Sequence, residues 1–77
     1  VLENQEIMRA ILAYREVVRL APENARAFFK LGVALRERER NIEAIEALER
    51  ARSLFEQQGQ SEDAKKAEAA LNEIKAN

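Results

Sequence analysis

Shifted by 34 residues against itself, the chain lays Arg9-Ala10-Ile11-Leu12-Ala13-Tyr14 over Glu43-Ala44-Ile45-Glu46-Ala47-Leu48, and the agreement continues to Leu20 over Leu54. Stacked helical hairpins use a period of this length, because one pair of helices cannot bury its apolar face alone and does so against its neighbours. The punctuation of the chain agrees. Pro22, Gly32 and Gly59 are the only proline and glycines, and β-branched runs are absent, so the stretches between them read as helix.

In the first stretch, Ile7, Ala10, Ile11, Tyr14, Val17 and Val18 recur at three- and four-residue spacing and predict one helix from about Gln5 to Leu20, ended by Pro22. Asn24 can cap a second helix by accepting from the free amides of its first turn, with Ala25, Phe28, Leu31, Gly32 and Leu35 as its apolar stripe. That helix fades in Arg36-Glu37-Arg38-Glu39-Arg40. Asn41 is the expected cap of a third, with Ile42, Ile45, Leu48, Ala51 and Phe55 on one side and Glu43, Glu46, Glu49 and Arg50 on the other. Gly59 stops it. Ser61 is the expected cap of a fourth, in which Glu62 and Asp63 meet the positive end of the helix dipole. Ala64, Ala67, Leu71 and Ile74 form a narrow seam there, and Lys65, Lys66, Glu68, Asn72, Glu73 and Lys75 face water. The expected fold is all-α, with about four helices in antiparallel hairpins.

Composition decides what such a fold can do. A chain of 77 residues makes one small domain with a thin core. Charged residues make up 35% yet cancel to a net charge of -1, so no global field draws the chain to nucleic acid or an anionic membrane. In the run from Arg36 to Arg40 the signs alternate, and no aromatic residue is interleaved for base stacking; it reads as a solvated helix end. Without cysteine there are no disulfides or thiolate metal sites. No apolar run approaches the roughly 20 residues that span a bilayer, and Val1-Leu2-Glu3-Asn4 has no signal-peptide character. A soluble protein is expected, its compartment open but cytoplasmic by default. No carboxylate lies in an apolar stripe where desolvation could raise its pKa, and there is no histidine or glycine-rich phosphate loop, so no enzyme, cofactor or metal is expected. Tyr14 reads as a packing residue rather than a lone nucleophile. Glu46 with Arg50, and Glu62 with Lys66, are spaced to pair across one helical turn.

With the period and residue sizes in hand, the chain resembles the tetratricopeptide repeat (TPR) family. Its pattern appears as Phe28, Leu31-Gly32, Leu35, Ala44, Leu48 and Ala51, and the preceding half-repeat supplies Ala10, Tyr14, Val17 and Pro22 at the same phase. Small Gly32 and Ala44 would stand where two helices approach closely. Phe28 replaces a tryptophan, Leu35 and Leu48 replace aromatics, and Glu56 stands where a second proline is expected, which implies that the third helix runs on to about Gln58. The resemblance implies a fragment of a right-handed α-solenoid: residues 1–24 as the second helix of a preceding unit, 25–58 as a complete hairpin, and 59–77 as a C-terminal capping, solvating helix. An unrelated helical bundle is the competing architecture.

The resemblance also implies a function, protein-protein interaction by an adaptor or scaffold. In this family the first helix of each unit lines a concave groove, which places Arg26, Phe29, Lys30, Val33, Arg36 and Glu37 on the binding side. Such a groove is basic and partly apolar, suited to a peptide with acidic and hydrophobic side chains. The plainer reading is that Phe29 and Val33 pack on neighbouring helices while the charges are solvated. Arg26 and Lys30 echo, with types exchanged, the lysine and arginine by which some members grip a terminal carboxylate, but Val33 stands where that clamp uses asparagine. The alternative function is self-assembly. The first helix has a wide apolar stripe, Ile7, Met8, Ile11, Leu12 and Val18, so either more repeats precede Val1 or two copies pack through this face.

Overall fold

The computed structural model describes residues 2–76, with side chains described for 4–76. Of Val1-Leu2-Glu3-Asn4, read as lacking signal-peptide character, Val1 and the side chains of Leu2 and Glu3 lie outside the described residues. Four helices follow one another, α1 (Leu2–Leu20), α2 (Ala25–Glu37), α3 (Asn41–Gln57) and α4 (Ser61–Ala76), with no strand among the described residues. Short loops force each helix to run antiparallel to the one before it. Consequently α1 and α3 run one way and α2 and α4 the other. Helix α2 packs on α1 and α3, and α3 packs on α4, whereas α2 and α4 touch only sparsely. The molecule measures 38 × 32 × 17 Å, and its short dimension is that of two helix layers whose axes lie about 8–10 Å apart.

The closest packing is between α2 and α3. A Cβ built on Gly32 would lie 2.6 Å from Leu48 Cγ, 2.8 Å from its Cδ2 and 3.3 Å from the Ala44 carbonyl oxygen. Ala44, Leu48 and Ala51 are all fully buried. The tightness expected of the Gly32 and Ala44 pair is therefore a property of the fold. Around it, Ile11, Leu31, Leu35 and Leu48 make one cluster with Leu71 and Ile74, while Ala51, Leu54 and Phe55 make a second with Ala64 and Ala67. Phe29 packs against both. No polar or charged residue is buried among the described residues. The seam of α4 is buried at all its expected positions, Ala64, Ala67, Leu71 and Ile74.

Local chemistry sets the helix ends, and here several expectations need correction. Asn24 caps α2, its Oδ1 accepting from the Ala27 amide at 3.0 Å. Asn41 does not cap α3. The Ala44 amide donates to the Arg40 carbonyl at 2.9 Å, so Arg40 holds the cap position without a side-chain bond and Asn41 is the first helical residue. Ser61 is likewise inside α4, because the Ala64 amide closes on the Gln60 carbonyl at 3.0 Å. Both shifts have one cause. Helices α2 and α3 end in the same double bond pattern, Arg40 N–H to Leu35 O with Glu39 N–H to Arg36 O, and Gln60 N–H to Phe55 O with Gly59 N–H to Glu56 O. Each consumes the residues up to Arg40 or Gln60, so the next helix starts immediately after. The pattern needs a left-handed residue, supplied by Gly59 (φ 74°) and, against type, by Glu39 (φ 63°).

Ile42 also departs from expectation: it is 78% exposed. The buried face of α3 runs through Ala44, Ala47, Leu48, Ala51, Leu54 and Phe55, and Ile42, two residues before Ala44, points to the other side of the helix. The one-turn pairs also come out differently. Glu62 pairs with Lys65 and Asp63 with Lys66, at 4.0 and 3.9 Å, and Arg50 lies over the Phe28 ring at 6.0 Å from its centroid. Near the end of α1, Arg19 hydrogen-bonds Glu16, which holds the Glu16 carboxyl below the usual carboxylate range and raises the Arg19 guanidinium.

Candidate protein-binding face

Because α2 and α4 are parallel, their N-terminal turns lie side by side, and the residues that begin them face a common space. An opening of about 510 Å³ lies there, lined by Arg26, Phe29 and Lys30 of α2, Phe55 of α3, and Asp63 and Lys66 of α4. Its end is crossed by a tie between the two loops, in which Gln58 Nε2 donates to the Glu23 carbonyl at 2.8 Å. Arg26 and Lys30 are one turn apart, exposed, and make no ion pair among the described residues. Lys66 leans on Asp63 at 3.9 Å, a separation too long for a strong hydrogen-bonded pair. Phe29 is half-buried, packed on the core on one side and lining the opening on the other.

The other groove residues read from the sequence lie farther along α2. Val33 is half-buried, Glu37 is exposed, and neither lines the opening. Arg36 reaches across to α4, where Nη1 donates to Glu73 Oε1 at 2.6 Å. The opening thus gathers half of the expected set and adds Phe55, Asp63 and Lys66. These additions carry a signal that the alternation of short loops contains: two helices separated by a third in a chain of hairpins run parallel, so their first turns are neighbours.

The apolar set of α1 is divided. Ile11 is fully buried within the chain, so it cannot meet a second copy; it points at the α2–α3 core because α1 lies on α2. Ile7, Met8 and Val18 are half-buried against the same cluster. Leu12 is 59% exposed, joined by Val17 at 36% and Leu20 at 68%. The repeat explains these last two. Their equivalents one period later, Ala51 and Leu54, are buried with Ala25 of α2 and Ala64 and Ala67 of α4, because α3 packs on two helices whereas α1 packs on α2 alone among the described residues.

Among the described residues, no group of three or more His, Cys, Asp or Glu side chains is placed to hold a metal ion, and no helix is long and apolar enough to cross a membrane. A TPR repeat-containing protein of Picosynechococcus sp. is 43% identical to this chain over 58 residues, which is 75% of the chain. The matched stretch is 15% of that relative's length. No family model matches the chain, and no solved structure does. Four stacked helices with a tight Gly32–Ala44 crossing, a period of 34 residues and that likeness agree: the chain carries a tetratricopeptide-type helical repeat.

Proposed function

We propose that this chain holds a protein partner by the face that α2 and α4 share, taking a peptide segment that presents carboxylates and a large apolar side chain. The observation that carries the reading is the opening itself, where Arg26 and Lys30 stand without ionic partners among the described residues, beside Phe29 and Phe55. Cations already placed one turn apart lose little on meeting a carboxylate, and an aromatic pair beside them gives apolar area to bury. The reading includes no catalytic step; the face binds. In a longer protein it serves as one unit of an adaptor.

A peptide library displayed on phage and selected on the immobilised chain tests it. The expected peptides carry acidic residues next to Leu, Phe or Met, and they lose about tenfold or more in affinity to a chain with Arg26→Ala and Lys30→Ala, as loss of charge-assisted bonds implies. Selected peptides that bind this double variant unchanged contradict the assignment.

The second reading is self-assembly through α1, favoured by the exposure of Leu12 and Leu20 on one helix. Sedimentation over a wide concentration range separates the two, because a dimer makes helical stability rise with concentration by mass action. Monomeric behaviour throughout removes this reading.

A further inference from the structure

The opening between the first turns of α2 and α4 is lined along α2 no farther than Lys30 and along α4 no farther than Lys66. This mouth gathers Arg26, Lys30 and Lys66, with Glu23 and Asp63 beside them. Farther along the same two helices, which otherwise make little contact, the Arg36–Glu73 ion pair at 2.6 Å forms a bar. Of the three basic groove residues on α2, Arg26, Lys30 and Arg36, Arg36 is the one paired with a carboxylate among the described residues, and that carboxylate comes from α4. The two side chains are 41% and 61% exposed, so the bar is solvated and replaceable rather than part of the core.

We infer that the Arg36–Glu73 pair sets the length of acidic segment this face accepts, with Glu73 standing in for a ligand carboxylate at Arg36. The inference rests on the proposed binding reading of the same face. Along α2, the ten residues from Arg26 to Arg36 rise about 15 Å. An extended peptide covers that distance in about four or five residues. A short segment entering at the mouth meets Arg26 and Lys30 and stops at the bar. A longer acidic segment gains nothing from its extra carboxylates, because Arg36 is neutralised and Glu73 repels them. Removing the Glu73 charge frees Arg36 and extends the site.

The test uses two probes with blocked ends, a Leu-Glu-Glu-Glu tetrapeptide and an octapeptide that continues it with glutamates, titrated at low salt by fluorescence anisotropy. The wild-type chain is expected to bind both equally within about twofold. Glu73→Gln is expected to bind the octapeptide about three- to fivefold more tightly than the tetrapeptide, the scale of an exposed ion pair. The double variant Arg36→Gln with Glu73→Gln should lose that gain. Glu68→Gln removes the same charge on another part of α4 that does not line the mouth, and should leave the ratio as in wild type. Equal ratios for wild type and Glu73→Gln overturn the inference, as does the same gain from Glu68→Gln, which would assign it to net charge. If the tetrapeptide binds and Arg26→Ala weakens it while Glu73→Gln has no effect, the bar is wrong and the binding face stands. Failure of every variant to bind either probe rejects both.

Discussion

Gly32 has no room for a methyl group. The atom it would meet first, Leu48 Cγ at 2.6 Å, is the branch point of a fully buried side chain rather than a flexible end, and the Ala44 carbonyl behind it is backbone. Gly32→Ala should therefore destabilise by about 1–3 kcal/mol through overpacking, even though alanine is the better helix former. Urea unfolding followed by circular dichroism measures this. Glu39 and Gly59 make a complementary pair, since they hold the same bond pattern at the ends of α2 and α3. Glu39→Gly should stabilise by about 0.5–1 kcal/mol, because a left-handed L-residue costs about 1–2 kcal/mol and glycine returns part of that as chain entropy. Gly59→Ala should destabilise by about 1 kcal/mol from backbone strain alone, as nothing lies within 4 Å of its added Cβ. At this scale the sequence was an uneven guide. Glycine at positions 32 and 59 declared close approach and a helix end, but Glu39 occupies a glycine conformation without looking like it. Asn41 and Ser61 looked like caps because their side chains suit that role, and the preceding turn geometry decided otherwise.

At the scale of elements, α2 is the helix on which both the packing and the proposed binding depend, and its start is fixed by one side chain. Asn24→Ala removes the acceptor for the Ala27 amide and should lower stability by about 1 kcal/mol. Amide hydrogen exchange checks the location: the loss should appear as faster exchange in the first turn of α2, while α1 keeps its protection. The four helices were legible because the 3.6-residue period is strong in each and the breakers fall between them. The apolar face of α3 was only half legible. Its alanines, Ala44, Ala47 and Ala51, carry the packing that larger Ile42 appeared to claim, and periodicity weighted by hydrophobic size favours the wrong residue there. For the proposed binding face, residues on α2 could be placed from the repeat. The residues that face α2 from α3 and α4 could not, because Phe55, Lys66 and Glu73 depend on how far α3 runs and on where α4 then begins.

The molecule as a whole is two layers of alternating helices, in which the layer of α2 and α4 offers an opening between neighbouring first turns and the layer of α1 and α3 supplies most of the support. Equivalent positions one period apart differ in exposure, as Leu20 at 68% and Leu54 at 4% do, because each unit is completed by its neighbours rather than by itself. The proposed binding reading places recognition on the face that the first helices α2 and α4 present. The most direct measurement is an NMR titration of the isotope-labelled chain with a peptide selected for binding. The expected result is a set of shifted amides confined to Arg26, Phe29 and Lys30 with Asp63 to Lys66, and none in α1. Shifts centred on Leu12 to Leu20 with α2 and α4 unmoved would contradict it.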